Sequence, residues 1–186
     1  SIKNQVLAVG ADYGVIFDTD VDRAAVVTGD GELLNRNNLI AVLSVIAISE
    51  HPGTTIVTNS PTTEHLKRFI TELGGHQYRY ISGYRNVINK AIELNEAGTD
   101  CQLAIETSGH AAFKENYFLD DGAYVVAKIL MLLPSLIERG KTLDHLIQKL
   151  VQPKEVVEVR FKIETEDFKA YGNEVIKEFL QWIPQE

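Results

Sequence analysis

The amino-acid sequence predicts an α/β fold, with a mainly parallel (mixed) sheet flanked by helices. Short apolar, β-branched runs alternate with helix-length segments of about a dozen residues, the pattern of βαβ units joined by right-handed crossovers. Pro61, Gly74-Gly75, Gly98 and Gly140 fall at the joints between those runs. The balance of 45% apolar and 24% charged residues over 186 positions is that of an ordinary domain with a real core.

Gly14–Phe17 reads as a short buried strand that runs into an acidic loop. Ala24–Thr28 and Glu32–Leu34 flank Gly29-Asp30-Gly31, a hairpin signal. Asn38–Glu50 is apolar nearly all round, as a buried helix is. Thr54–Thr58 is a β-branched strand, and Ser60-Pro61 offers an N-cap with proline at the first helical position of a helix ending at Gly74-Gly75. Gln77–Ile81 is the next strand, Tyr84–Glu96 a helix closed by Gly98, and Cys101–Glu106 a third strand. A loop to Gly122 precedes a helix over Ala123–Arg139, stopped by Gly140. Beyond Thr142–Val151, Gln152-Pro153 reads as a linker, Val156–Ile163 as an exposed strand and Phe168–Trp182 as a helix. Parallel sheets place their sites beyond the carboxyl ends of strands, which singles out the stretches after Phe17, Thr58 and Ile105.

Charge and cysteine usage narrow the functional classes. With 26 acidic against 18 basic residues, a net charge of −8 and no basic stripe, the chain is not a nucleic-acid binder. Its longest apolar stretch, Leu39–Ile48, is broken by Ser44 and too short to cross a bilayer, and with no basic n-region before an apolar h-region a secretory leader is not expected. Cys101 is the only cysteine, which fits a reducing, cytoplasmic setting. The expected partner is a small molecule. The chain starts at Ser1, not Met, and stops on a helical segment, so both ends read as cut from something longer, Ser1 as a tag remnant.

Asp18-Thr19-Asp20-Val21-Asp22-Arg23 is the sharpest local feature. Three alternate carboxylates can converge on one hard cation such as Mg²⁺, and Arg23 can orient a carboxylate or grip a phosphate. A solvated acidic turn has the same composition. An EF-hand is excluded, because Arg23 stands where that loop needs Gly and Gly29 where it needs Glu. Glu106-Thr107-Ser108-Gly109-His110 offers a carboxylate, a hydroxyl and an imidazole to vicinal sugar hydroxyls, with His110 able to exchange protons; a capped turn fits it equally. Lys114 follows, then Asp120-Asp121-Gly122, whose carboxylates suit either ligands or helix caps. Arg85, in Gly83-Tyr84-Arg85-Asn86, can meet a phosphate near a helix N-terminus. His51, His65, His76 and His145 lack partner patterns, and Cys101 reads as a buried thiol rather than a nucleophile.

In this order, the motifs resemble the α-D-phosphohexomutase family: phosphoglucomutases, phosphomannomutases and phosphoglucosamine mutases. That family's D-G-D-x-D-R metal loop matches Asp18, Asp20, Asp22 and Arg23, with Thr19 in place of Gly. Its G-E-x-S-G-H sugar loop matches Glu106, Ser108, Gly109 and His110, with Ile105 in place of Gly. F-K-E and D-D-G match Phe113-Lys114-Glu115 and Asp120-Asp121-Gly122, and G-x-R-x-V matches Gly83–Val87. The resemblance implies a four-domain Mg²⁺-dependent enzyme that interconverts hexose 1-phosphate and 6-phosphate through a phosphoserine and a bisphosphorylated sugar. It implies Asp18, Asp20 and Asp22 as metal ligands, and Glu106, Ser108, Arg85 and Lys114 as substrate contacts. His110 and Arg23 would assist proton transfer and orient the phosphoserine side. Residues 1–37 would end domain 2 and carry the metal loop, 38–151 would be a domain 3-like sugar-binding unit, and 152–186 a linker and the start of domain 4.

The phosphoserine loop T-A-S-H-N-P and the phosphate loop R-x-S-G-T-E-P do not occur in the chain, so the expectation is a fragment without turnover of its own, partnered by the remaining domains of its parent. A rival resemblance is to haloacid-dehalogenase-type phosphatases, with Asp18 as nucleophile, Asp20 as general acid and Val57–Ser60 as a second motif. A third reading is a non-catalytic sugar-phosphate-binding domain on the same scaffold.

Overall fold

The computed structural model describes residues 1–34, 36–157, 159 and 162–183, in two compact units, Ser1–Gln152 and Pro153–Glu186. Among the described residues, no helix is long and apolar enough to cross a membrane.

The first unit opens with a helix beyond the expected elements, α1 (Ile2–Val9), which stops where Gly10 turns left-handed at φ +65°. It packs on β1 (Tyr13–Phe17) so tightly that a Cβ on Gly14 would lie 2.5 Å from Val6 Cγ2. With β2 (Ala24–Thr28) and β3 (Leu33–Leu34), β1 forms an antiparallel sheet in the order β1-β2-β3. The expectation of a buried first strand is corrected. Strand β1 lies at the sheet edge and α1 covers only its Gly14 end, leaving Ile16 54% and Phe17 41% exposed.

The second sheet has the order β5-β4-β6-β7, built from β4 (Thr55–Asn59), β5 (His76–Tyr80), β6 (Cys101–Ile105) and β7 (Ala111–Phe113). Strands β4, β5 and β6 run parallel and β7 antiparallel to β6. The central strands β4 and β6 are buried along their whole length, which is why they read as continuous runs without alternation, while edge strand β5 is half-exposed. Around the sheet lie α2 (Asn37–Glu50), α3 (Glu64–Glu72), α4 (Tyr84–Glu96) and α5 (Gly122–Glu138). Helix α2 buries every residue from Leu39 to Ser44, and its Ile40 and Leu43 share the main core with Ile56, Ile70, Leu103, Ile105 and Ile129. A smaller cluster joins Val57, Val87, Ala91, Ala104 and Ala112.

Three further expectations are corrected. Thr63, not Ser60, caps α3: its Oγ1 accepts the Leu66 N–H at 3.1 Å. Residues 59–62 instead form a turn in which Thr62 Oγ1 donates to the Asn59 carbonyl at 3.3 Å. The supposed loop before α5 contains β7 and a 3₁₀ turn, Lys114–Asn116. His145 does have a partner, completing a capping box with Thr142 ahead of the 3₁₀ segment Leu143–Ile147.

The second unit holds α6 (Phe168–Trp182), capped by Asp167, whose carboxylate accepts the Ala170 N–H at 3.0 Å. Of the expected strand Val156–Ile163, Glu158, Arg160 and Phe161 lie outside the described residues and the others are not strand, since no described strand of this unit offers a ladder partner.

Candidate functional site

The acidic loop between β1 and β2 curls because its ends are tied together. The Arg23 N–H and Nε donate to the two Asp18 carboxylate oxygens at 3.2 and 2.7 Å, and the Val21 N–H donates to the Asp18 carbonyl at 3.3 Å. The residue that turns left-handed is Val21 at φ +64°, a strained state for a β-branched side chain, and not Thr19, where the glycine of the resembling motif stands. That kink brings carboxylate oxygens of Asp18, Asp20 and Asp22 within 4.8 Å of one another. Desolvation pushes the Asp18 pKa up, but the Arg23 N–H and guanidinium outweigh it and hold the carboxyl below its ordinary value. Arg23 is in turn raised by its hydrogen bond to Asp18.

The residues present fit a hard divalent cation. All three donors are carboxylates, the type Mg²⁺ prefers, and Asp22 Oδ1 is shut off from solvent without a hydrogen-bond donor, Arg23 Nε standing 3.6 Å away.

The loop after β6 is equally tied. The Glu106 N–H donates to the His110 carbonyl at 2.9 Å, and the Gly109 N–H to the Glu106 carbonyl at 3.0 Å, with Gly109 at φ +103°. The Glu106 carboxylate caps α4 from outside, accepting the Gly83 N–H at 2.6 Å on Oε1 and the Ser108 hydroxyl at 3.4 Å on Oε2. Asp120 Oδ2 lies 2.7 Å from His110 Nδ1, Asp22 Oδ2 lies 3.5 Å from the same atom, and the Tyr84 ring stacks on the imidazole at 4.9 Å. Desolvation, aided by the Asp22 charge, raises the Asp120 pKa despite its partner His110.

Main-chain contacts join the two loops. Arg23 and His110 form an isolated antiparallel bridge, and the acidic loop is also held to the start of α5, where the Gly122 N–H donates to the Val21 carbonyl at 3.1 Å. A cleft of about 260 Å³ opens between them, lined by Asp18, Arg23, Ala24 and Ser108 among others. Asp18, Asp20, Asp22, Arg23, Glu106, Ser108 and His110 are therefore brought together. Arg85 sits on the exposed first turn of α4, its Nε donating to Tyr84 Oη at 3.0 Å, one residue from the ring on His110. Lys114 is not brought there: it bonds Asp100 at 3.1 Å, at the amino end of β6, while Glu106 follows its carboxyl end. Asp120 and Tyr84 join the site through His110, and only the first fills a defined position of a motif visible in the sequence, D-D-G.

The phosphatase-like alternative needs Asp18 and Val57–Ser60 at one place on one sheet. Asp18 follows an antiparallel edge strand, and Asn59 ends a strand of the other sheet.

Comparison with known proteins gives a consistent result. Domain III, an α/β/α domain, of phosphoglucomutase/phosphomannomutase matches residues 35–153. A phosphomannomutase/phosphoglucomutase of Pseudomonas aeruginosa is 30% identical over 179 residues, which is 96% of this chain but 37% of that protein. A phosphoglucomutase of Neisseria gonorrhoeae is 31% identical over 77% of this chain and 30% of its own length. A crystal structure of a Burkholderia thailandensis phosphoglucomutase/phosphomannomutase family protein superposes with a TM-score of 0.67 at 32% identity, over 80% of this chain and 31% of that one. The chain thus spans about a third of the length of the relatives it matches.

Proposed function

This chain belongs to the phosphoglucomutase/phosphomannomutase family and carries its domain III, and from that premise we propose that it supplies the metal loop and the sugar loop of a hexose-phosphate mutase. The observation that carries the reading is the Arg23–His110 bridge, which docks the acidic loop on the Glu106–His110 loop so that Asp18, Arg23 and Ser108 line one cleft. The substrate class is a hexose 1- or 6-phosphate, with glucose and mannose both accommodated by the reading. In this proposal residues 1–37 end one domain, 38–151 form the sugar-binding domain and 152–186 lead into the next. The remaining domains of a parent chain complete the site. The lone buried Cys101 supports a cytoplasmic setting.

Asp18, Asp20 and Asp22 would hold Mg²⁺, which when bound neutralises charge on a phosphoryl group in transfer. Arg23, fixed by Asp18, presents a permanent positive charge at the mouth of the same cleft and orients an anionic oxygen. Glu106 accepts from, and Ser108 exchanges hydrogen bonds with, vicinal sugar hydroxyls. Asp120 holds the His110 ring through Nδ1, which assigns proton exchange with the substrate to Nε2. Arg85, on the exposed first turn of α4, would meet the phosphate in this reading, and Lys114, bonded to Asp100, has no part in it.

Calorimetric titration tests this directly. Glucose 1-phosphate with Mg²⁺ is expected to bind saturably, and Glu106→Ala to abolish that binding while the far-UV circular dichroism stays unchanged. Saturation indifferent to Glu106→Ala overturns the assignment of the sugar loop. In a coupled assay the 186-residue polypeptide, which holds no T-A-S-H-N-P run, is expected to show no conversion to glucose 6-phosphate.

A further inference from the structure

The run Val57-Thr58-Asn59-Ser60 has no part in the site as proposed above, yet its third residue reaches that site. Strands β4 and β6 pair in parallel as far as Thr58 and Ile105, where the ladder ends and the chain enters the Glu106–His110 turn. Beyond that point the Asn59 side chain takes over from the ladder. Its Oδ1 accepts the Thr107 N–H at 3.0 Å, and its Nδ2 donates to Thr107 Oγ1 at 3.1 Å. Two bonds to one residue fix rotation as well as distance, and a 5% exposed amide makes them with little competition from water. Asn59 is itself held: its carbonyl accepts from Thr62 Oγ1, which also accepts from Gln77 Nε2 at 3.0 Å, and Gln77 Nε2 donates to the buried Thr58 hydroxyl at 2.7 Å. The clasp thus runs from the central strand of the sheet to the one residue standing between Glu106 and Ser108.

We infer that Asn59 is a positioning residue for sugar recognition: it touches no sugar but sets the attitude of the loop from which Glu106 and Ser108 reach it. Thr107 is the counterpart, because its hydroxyl oxygen accepts the second bond. This rests on the reading of Glu106 and Ser108 as sugar contacts.

The test combines hexose-phosphate binding with amide hydrogen exchange on the full 186-residue chain. Asn59→Ala is expected to weaken glucose 1-phosphate binding about tenfold or more, the loss of one to two hydrogen bonds' worth of positioning. It should speed exchange of the Thr107 amide about tenfold, while the amide of Leu103 within β6 stays protected. Thr107→Ser, which keeps the hydroxyl, should hold affinity within about threefold of the original, whereas Thr107→Val should fall between it and Asn59→Ala. Thr107→Val also carries the test if Asn59→Ala does not fold. Unchanged affinity in folded Asn59→Ala or Thr107→Val, with binding still lost in Glu106→Ala, overturns the positioning role and leaves the sugar reading standing. Affinity unmoved by Glu106→Ala removes the sugar reading and the role built on it together.

Discussion

Gly122 has no room for a side chain. A Cβ there would lie 2.7 Å from the Arg23 carbonyl carbon, 2.9 Å from the Val21 oxygen and 3.0 Å from the Arg23 nitrogen, all backbone atoms of the acidic loop. These atoms cannot swing aside, so Gly122→Ala is expected to cost about 1–3 kcal/mol, as overpacking of a buried contact does. Urea unfolding should show a lower midpoint at unchanged slope; an unchanged midpoint would mean that the acidic loop is free to shift. The same glycine shows what could be read from residues alone. The D-G-D-like and G-E-x-S-G-H-like runs are contiguous, so their chemistry is visible in one dimension. Asp120 meets His110 across 10 residues, and Asn59 meets Thr107 across 48, and no local spacing announces either pair. Lys114 is unreadable for the opposite reason: it follows the Glu106–His110 loop closely in sequence, but β7 reverses the chain and carries it to the far end of β6.

Helix α5, the end of α2 and the turn Lys114–Asn116 are tied by one buried cation. Lys128, 4% exposed, bonds Glu50 at 2.6 and 2.8 Å and Glu115 at 2.7 Å. Burial pulls the Lys128 pKa down, but the two carboxylates outweigh it and raise it above 10.5. The Lys128 hydrogen bond in turn holds Glu115 below its ordinary 4.5. Stability from Glu115 is therefore present above pH 4.5 and lost as pH falls through its lowered folded value. Stability from Lys128 is present below pH 10.5 and lost as pH rises through its raised value. The carboxylates are 42% and 41% exposed and can rehydrate, so Lys128→Met should cost only about 1–3 kcal/mol at neutral pH and flatten the acid limb of the stability profile. Replacing both acids by alanine strands the ammonium and should cost more, about 3 kcal/mol or above. Denaturation of the variants between pH 3 and pH 7 checks the order; a steeper acid limb in Lys128→Met would refute it. Elements bound by long apolar runs or by glycine stops, such as α2, α4 and α5, were readable in the sequence. The eight-residue α1 was not, for it has no side-chain cap and buries only Val6, and α3 starts later than Ser60-Pro61 advertise because Thr63 takes the N-cap and Glu64 the first helical position.

Every buried apolar side chain among the described residues lies between Val6 and Leu150. The core of the first unit is thus complete within Ser1–Gln152, and both docked loops with their anchors Asn59, Gly83, Asp120 and Gly122 belong to it. In Pro153–Glu186 the large apolar side chains of α6 remain exposed, Phe179 by 63% and Trp182 by 85%, and no described residue of that helix is buried. A lone 15-residue helix without a packed face is marginal in water. The cavity of about 600 Å³ lined by Ile163, Tyr171 and Val175 is a sign of apolar surface without a core, and none of the proposed site residues lines it. Stability of the whole should therefore reside in the first unit. A chain ending at Gln152 is expected to unfold in one cooperative transition, with a midpoint within a few degrees of that of the 186-residue chain, and to keep its affinity for glucose 1-phosphate. Limited proteolysis of the 186-residue chain should arrive at nearly the same product by cutting in the exposed stretch just beyond Pro153. A shortened chain that melts without cooperativity, or that folds and no longer binds, would show that residues 153–186 contribute to the core or to the site.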